Sequence, residues 1–220
     1  MTGASSSPRT DLSRALRLIV ITDTALAGPR GVDAVVSRAL AGGARAIQLR
    51  DKRATAAELY DQTLRLLRRT RPAGALLFVN DRLDVALAAG ADGAHLGPTD
   101  IEPAAARRIA PAPFLLGYST DDPEAARHAE ADGVDYLGCG AVFGTTTKDV
   151  GGEAIGPARL HRVASAVRIA VVGIGGITAD NVGQVARTAA AGCAVISEVM
   201  AATDPAAACE ALLAPFHSRS

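Results

Sequence analysis

The sequence has little lysine, little cysteine and no excess of charge of either sign. Its 220 residues carry 23 basic and 23 acidic side chains, so the formal net charge is zero. Because the chain shows no basic stripe or charged block, we expect no nucleic-acid partner. The three cysteines, Cys139, Cys193 and Cys209, show no CxxC spacing. This argues against a disulfide framework or a zinc cluster and favours a reducing compartment.

The sequence also lacks long apolar runs and a targeting segment. No run approaches the roughly 20 residues of a membrane-spanning helix, so we expect no membrane partner. The polar N-terminus, MTGASSSPRTDLSR, has no apolar centre of the kind found in signal peptides. We therefore expect a soluble, cytoplasmic protein with a disordered tail over residues 1–13 and one folded domain over residues 14–216.

A recurring phrase organises the chain. Four stretches, AGGARAIQLRD, AAGADGAHLGP, AEADGVDYLGCG and AAAGCAVISE, place an alanine-rich segment before a glycine or Asp-Gly, and a short apolar run after it. This pattern predicts a helix, a C-terminal stop and a buried strand. Four further apolar runs lie between these stretches: LIVITD, LLFVND, FLLGYS and AVVGIGG.

The eight apolar runs are continuous rather than alternating, which is typical of parallel strands covered on both faces. Helical segments separate them, such as residues 55–69 and the stretch DDPEAARHAEA, in which Asp121 or Asp122 is the N-cap candidate. Eight alternations in this length predict an α/β protein with a single (β/α)8 TIM barrel. A doubly wound open sheet is the alternative, but no GxGxxG follows the first strand.

Polar residues follow nearly all of these runs. In a (β/α)8 barrel these trailing ends share one face, which is where active sites are built. Cations and backbone N–H groups bind phosphoryl oxygens, whereas neighbouring carboxylates would repel them unless Mg²⁺ lies between. The candidates at the trailing ends are Gln48, Arg50, Lys52, Asn80, Asp81, Asp100, Ser119, Thr145, Thr146, Thr147, Lys148, Gly175, Gly176 and Ser197. They suggest two phosphate-bearing ligands, one at Mg²⁺ and the lysines and one near Gly175 and Ser197.

The two lysines of the chain, Lys52 and Lys148, both fall in this set, and every other basic side chain is arginine. An ammonium is a compact point charge that a planar guanidinium does not replace at a crowded site. Other catalytic motifs are absent, since the sequence has no Walker A loop, dinucleotide fingerprint, HExxH or GxSxG. His95 lies in an apolar run, which favours a core or supporting histidine over a ligand.

The chain resembles the thiamine phosphate synthase family from about Leu16 to Leu213. The residues that carry the resemblance are QLRDK (48–52), VND (79–81), DGAHLGPTD (92–100), LGYS (116–119), GTTTK (144–148), VGIGGIT (172–178) and VIS (195–197). The resemblance implies a TIM-barrel catalytic domain and a transferase that acts on small molecules. Its reaction condenses hydroxymethylpyrimidine diphosphate with hydroxyethylthiazole phosphate, which gives thiamine phosphate and diphosphate through a dissociative, Mg²⁺-assisted substitution.

The resemblance also implies the site residues. The diphosphate of the pyrimidine substrate would leave with the help of four catalytic residues, Arg50, Lys52, Ser119 and Lys148. Mg²⁺ would be held by Asp81 and Asp100. The substrate-binding residues would be Gln48, Leu49, Arg50, Asp51, Lys52, Asn80, Ser119, Thr145, Thr146, Thr147, Lys148, Gly176, Ile196 and Ser197. In an extended loop Thr145 and Thr147 would face one ligand and Thr146 would face away.

Three positions depart from the family pattern: Gly144 replaces a usual proline, Asp121 stands near a usual histidine, and Glu198 replaces a small residue. The acid at Glu198 is unfavourable beside a phosphate unless it points away. Two alternatives remain, a thiazole tautomerase-like isomerase on the same fold and a non-catalytic phosphate-binding barrel. The sequence leaves open whether the protein forms homo-oligomers.

Overall fold

The computed structural model describes residues 8–144 and 154–217 of the chain. Eight parallel strands close into a barrel in chain order, and the last strand pairs with the first. The strands are β1 (Leu18–Ile21), β2 (Ala46–Leu49), β3 (Leu76–Asn80), β4 (Gly93–Leu96), β5 (Leu115–Ser119), β6 (Tyr136–Gly140), β7 (Ala170–Ile174) and β8 (Gly192–Val195). Each predicted apolar run contains one strand, so the predicted (β/α)8 barrel is confirmed.

Helices follow the strands around the outside of the barrel. Within the described residues they are α1 (Pro8–Ala15), α2 (Thr24–Ala27), α3 (Val32–Ala41), α4 (Ala56–Thr70), α5 (Leu83–Ala89), α6 (Pro103–Ile109), α7 (Pro123–Ala131), α8 (Gly156–Ala166), α9 (Val182–Ala186), α10 (Ser197–Met200) and α11 (Pro205–His217). None of these helices is long and apolar enough to cross a membrane. Helix α1 overlaps residues 8–13 of the predicted tail.

Side-chain caps start several helices where the sequence predicts a start. Thr55 accepts a hydrogen bond from the Glu58 N–H, and the Glu58 carboxylate accepts one from the Thr55 N–H, which forms a capping box before α4. Of the two candidates before α7, Asp122 is the cap, because its carboxylate accepts a hydrogen bond from the Ala125 N–H at 2.9 Å. Asp121 instead lies 3.7 Å from the Arg159 guanidinium.

Buried side chains of the strands form the core of the barrel. The central residues of the strands are buried, and each fully buried Leu or Ile contributes roughly 1.5–3 kcal/mol. Phe78 on β3 and Tyr136 on β6 pack with ring centroids 5.0 Å apart. Because β3 and β6 are not neighbours in the sheet, these two rings meet inside the barrel.

Helix stops also follow the predicted pattern. Gly90 ends α5 with a left-handed φ of 70°, and its N–H bonds to the carbonyl groups of Ala86 and Leu87. A glycine adopts this conformation without the steric penalty of a Cβ, so the chain turns directly into β4. Gly93, at the start of β4, then pairs with Phe78 of β3 and Leu115 of β5. This register places the C-terminal ends of the three strands close together.

Candidate active site

The predicted site residues of β2, β3 and β5 lie at the C-terminal end of the barrel. Gln48 is the second-last residue of β2, Asn80 ends β3 and Ser119 ends β5. Parallel strands place all of these ends at one mouth of the barrel. Asp81 follows β3 directly, and Ser197 begins α10 after β8, at the same mouth.

Two carboxylates meet at this mouth. Asp81 has a left-handed φ of 62°, which is uncommon outside glycine and is tolerated best by Asn and Asp. Burial and the nearby negative charge of Asp100 raise the pKa of Asp81, and the Lys52 ammonium opposes that rise. The Asp100 carboxylate accepts a hydrogen bond from the Gly97 N–H at 2.7 Å, which fixes its position. The pair therefore forms a concentrated negative site that favours a cation.

Basic residues from the end of β2 approach this pair. The Lys52 ammonium lies 3.9 Å from the Asp81 carboxylate, and the charge of Arg50 also opposes the rise in the pKa of Asp81. Thr22, at the end of β1, accepts a hydrogen bond from the Arg50 N–H at 3.0 Å. Thr22 is buried and ties the end of β2 to β1, so the backbone that carries Arg50 is held in place.

Hydrogen bonds in the interior of the barrel link the predicted ligand Ser119 to His95 and Tyr136. The His95 ring lies 2.9 Å from the Ser119 hydroxyl through Nε2, and 3.0 Å from the Tyr136 hydroxyl through Nδ1. Burial raises the pKa of Tyr136, and the nearby Gln48 side chain opposes that rise. His95 is thus a buried supporting residue, as its apolar surroundings indicate. Tyr136 was missed because its run, YLGCG, reads as plain core; the available signal was Gly117, where a Cβ would overlap the Tyr136 ring.

Leu49 and Asp51 of the QLRDK segment contact neighbouring residues of the protein in ways that support its structure. Leu49 is buried in the strand, so its side chain contributes packing. The Asp51 carboxylate accepts hydrogen bonds from the N–H groups of Arg53 and Ala54 and from Gln62. Burial alone would raise the pKa of Asp51, but these hydrogen bonds outweigh it and lower the pKa. Asp51 therefore shapes the loop after β2, and its role as a ligand stays a prediction.

The loop after β7 packs against the residues that precede the threonine segment. Gly176 has a φ of 62°, and a Cβ there would overlap the Gly144 carbonyl oxygen and the Phe143 backbone. The Phe143 N–H bonds to the Gly175 carbonyl at 3.0 Å. Gly175 and Gly176 both have a positive φ, and a Cβ at either would overlap residues 141–144. Both are therefore needed for the close approach of the loops after β6 and β7, whether or not a phosphate also binds there.

The carboxylate of Glu198 has a partner in the same region. It accepts a hydrogen bond from the Ala179 N–H at 2.9 Å, which joins the start of α10 to the loop after β7. Ile196 is buried just before α10, and Ser197 is exposed at its first position. The Glu198 carboxylate is thus occupied by a backbone donor, which answers the concern that it would face a phosphate freely.

The threonine segment itself, Thr145, Thr146, Thr147 and Lys148, lies outside the described residues. The chain on either side of it is fixed. The Ile155 N–H bonds to the Ala141 carbonyl at 2.9 Å, and the Gly156 N–H bonds to the Val142 carbonyl at 3.0 Å. The end of β6 and the start of α8 therefore lie side by side at the mouth of the barrel.

A closed parallel barrel with acidic and basic side chains gathered at its C-terminal mouth defines the class of (β/α)8-barrel enzymes. Comparison with protein families narrows this class, since residues 18–199 match the family described as thiamine monophosphate synthase. The chain therefore belongs to the thiamine monophosphate synthase family. The predicted family is confirmed.

Relatives along most of the chain agree with this assignment. The thiamine-phosphate synthase of Moorella thermoacetica is 46% identical over 195 residues, which cover 89% of this chain and 93% of the relative. That of Roseiflexus castenholzii is 48% identical over 193 residues, 88% of this chain and 85% of the relative. The solved thiamine phosphate pyrophosphorylase of Pyrococcus furiosus has a TM-score of 0.85 and 43% identity, and the match covers 94% of this chain and 98% of that one.

Proposed function

We propose that this barrel joins hydroxymethylpyrimidine diphosphate to hydroxyethylthiazole phosphate and so forms thiamine phosphate and diphosphate. The observation that carries the proposal is the carboxylate pair Asp81 and Asp100 beside Lys52, in a chain of this family. An isomerase acting on the thiazole alone would have no need for a metal site at a diphosphate. Relatives named thiamine-phosphate synthase support the same activity.

The acidic pair fits Mg²⁺. Mg²⁺ is commonly held by one or two carboxylates together with substrate phosphate oxygens, rather than by a full protein cage. Within the described residues no group of three or more His, Cys, Asp or Glu side chains could hold a metal, so the proposed site would need substrate oxygens as further ligands. Burial and the nearby charge of Asp100 raise the pKa of Asp81, and a cation bound at the pair would favour its ionised form. When bound, Mg²⁺ would neutralise charge on the leaving diphosphate.

The protein residues would act on the two ends of the pyrimidine substrate. Arg50, Lys52 and Lys148 would bind the diphosphate and stabilise the charge that it gains as the C–O bond breaks. Gln48 and Asn80 would orient the pyrimidine ring. No protein nucleophile takes part, because the methylene carbon that loses diphosphate is attacked directly by the thiazole nitrogen. Holding the two rings in line would supply much of the remaining acceleration.

The thiazole phosphate would bind on the side of β7 and β8. Gly176 and Ser197 lie at the ends of those strands, where (β/α)8 barrels commonly hold a phosphate. Thr145 and Thr147 would complete this pocket, with Ile196 beneath it. The pyrimidine and thiazole sites would then adjoin at the threonine segment. Cytoplasmic location and homo-oligomerisation stay predictions.

The test is to mix the protein with both substrates and Mg²⁺ and to measure thiamine phosphate. We expect product that requires both substrates and the metal, and a loss of about 10²–10³-fold in kcat for Asp100→Asn. Asn retains an acceptor for the Gly97 N–H, so the loop keeps its shape, and Asp100→Ala serves as the comparison without that acceptor. Isomerisation of the thiazole phosphate without any need for the pyrimidine substrate would instead identify an isomerase. Full activity of Asp100→Asn would exclude the metal role of Asp100.

A further inference from the structure

The loop after β7, residues 175–181, is held by hydrogen bonds to two successive carbonyl groups. The Phe143 N–H, after the end of β6, donates to the Gly175 carbonyl at 3.0 Å. The side-chain amide of Asn181 donates to the Gly176 carbonyl at 2.8 Å. Two neighbouring peptide groups are thus fixed, the first by the backbone of another loop and the second by a single side chain.

Asn181 binds this loop through both polar atoms of its side chain. Its Oδ1 accepts a hydrogen bond from the Thr178 N–H at 2.9 Å, while its Nδ2 donates to the Gly176 carbonyl. Because one partner can only donate and the other can only accept, these bonds determine which end of the amide is the oxygen. Asn181 immediately precedes α9, but its partly buried side chain turns back and supports the loop.

The two bonds orient two backbone donors. In a trans peptide group the C=O and the N–H point in opposite directions. The Gly175 carbonyl points at Phe143, so the Gly176 N–H points away from Phe143. The Gly176 carbonyl points at Asn181, so the Ile177 N–H points away from Asn181. Among the residues that the structure describes, neither of these N–H groups has a hydrogen-bond partner. Successive free N–H groups beside left-handed residues are typical of anion-binding loops.

We propose that Asn181 is a positioning residue that presents the N–H groups of Gly176 and Ile177 to the phosphate of the thiazole substrate. The proposal rests on the function proposed above, which places that phosphate beside Gly176 and Ser197. Asn181 acts through the peptide group that it holds, and not on the phosphate itself. Donors that are fixed before the ligand arrives need little reordering on binding, so more of their interaction energy contributes to affinity.

The loop keeps another attachment that does not involve Asn181. The Glu198 carboxylate accepts a hydrogen bond from the Ala179 N–H at 2.9 Å, which joins the loop to α10. Removal of the Asn181 amide should therefore free the peptide group after Gly176 while the loop as a whole stays in place. We expect a local loss of phosphate binding, with the barrel still folded.

The first experiment uses inorganic phosphate and the full-length protein, and it needs no turnover. Proton–nitrogen correlation spectra of nitrogen-labelled protein should show the Gly176 and Ile177 amide signals shifting as phosphate is added. Asn181→Ala should weaken this binding about 5–10-fold. The matched control is Gln184→Ala, at an exposed position of α9, which should leave the affinity unchanged.

This titration decides the proposal separately from the coupling reaction. Unmoved signals of Gly176 and Ile177, or equal phosphate affinity in Asn181→Ala, would overturn it. Phosphate binding that depends on Asn181 would support it even if the protein formed no thiamine phosphate, in which case only the proposed function would fail.

The second experiment separates the two substrates by steady-state kinetics. Asn181→Ala should raise the KM for thiazole phosphate about 5–10-fold, with kcat and the KM for the pyrimidine substrate unchanged. Asn181→Asp keeps an acceptor for the Thr178 N–H but has no proton for the Gly176 carbonyl, so its KM should rise at least as much. A merely structural role would change both KM values or kcat together. That result, or an unchanged KM in Asn181→Asp, would contradict the proposal.

Discussion

The carboxylate of Asp81 lies 3.9 Å from the Lys52 ammonium, and the negative charge of Asp100, beyond the end of β4, is near enough to raise the pKa of Asp81. Each residue has its own reason to be there: Asp81 occupies a left-handed turn, and Asp100 binds the Gly97 N–H. Burial and the nearby charge of Asp100 disfavour the ionised form of Asp81 in the folded protein, and a bound cation would favour it. The pair of Asp81 and Asp100 therefore lowers the stability of the folded protein, and we attribute its presence to the binding of a cation.

We predict that Asp81→Asn raises the melting temperature of the metal-free protein while it lowers Mg²⁺-dependent activity. The raised pKa of Asp81 means that its ionised form is disfavoured in the folded state. Stability is therefore lost as pH rises from the ordinary aspartate pKa through the raised one, and the variant lacks that loss. The side chain is partly exposed, so the gain should not exceed about 1 kcal/mol, or about 2–4 °C.

The pH dependence provides the control for this prediction. The difference in melting temperature between Asp81→Asn and the original protein should grow from acid to neutral pH and vanish at low pH. Asp81→Ala should be less stable than Asp81→Asn, because alanine is strained by roughly 1–2 kcal/mol at a φ of 62°. A constant difference at every pH would show that the repulsion between Asp81 and Asp100 is not its cause.

Gly117→Ala should destabilise the barrel strongly. The new methyl group would overlap Tyr136 and His95, neither of which can move away without breaking its hydrogen bonds. Overpacking of this kind costs about 1–3 kcal/mol, and urea denaturation would measure it. Gly183→Ala, inside α9 with only an arginine side chain 3.8 Å away, should be neutral or slightly stabilising. Equal stability of the two variants would contradict this prediction.

The three cysteines should resist alkylation in the folded protein. Cys139, Cys193 and Cys209 are free and buried, and burial raises the pKa of each thiol to about 12. Since the thiolate is the reactive form, labelling at neutral pH should wait for unfolding. Mass spectrometry with and without guanidinium would count the labelled thiols. Labelling of the native protein at a rate independent of its stability would show that one of these thiols is accessible.

Substitutions at Glu198 should separate its hydrogen bond from its charge. Glu198→Gln keeps an acceptor for the Ala179 N–H, so we expect little change in the KM for thiazole phosphate. Glu198→Ala releases the loop after β7 and should raise that KM by about 3–10-fold. Steady-state kinetics with the second substrate saturating would compare them. If both variants bind thiazole phosphate more tightly than the original, the negative charge matters more than the hydrogen bond.

The barrel could be predicted because its signals are local. The run LLFVND becomes β3, and the segment after Thr55 becomes α4 with its predicted start. Convergence of Gln48, Asn80 and Ser119 on one mouth follows from topology alone, since parallel strands share a direction. The apolar runs and their spacing show within a few residues which segments form strands and which form helices.

The interior network could not be predicted in the same way. His95 and Tyr136 are far apart in sequence and lie on strands that are not neighbours, so their contact depends on the register of the whole barrel. The left-handed turn at Asp81 likewise depends on its N–H bonding to the His95 carbonyl. A sequence read segment by segment places such residues on the right strand but leaves their partners unspecified.

The paired backbone bonds that join Ala141 to Ile155 and Val142 to Gly156 have a consequence for how this enzyme can change. They join the residues after β6 to the start of α8, so the chain on both sides of the threonine segment is held by bonds that do not involve the segment. Lengthening a loop between fixed ends costs only about 0.6 kcal/mol per doubling. A change in the length of this segment should therefore affect substrate binding through Thr145, Thr147 and Lys148 while the barrel keeps its stability.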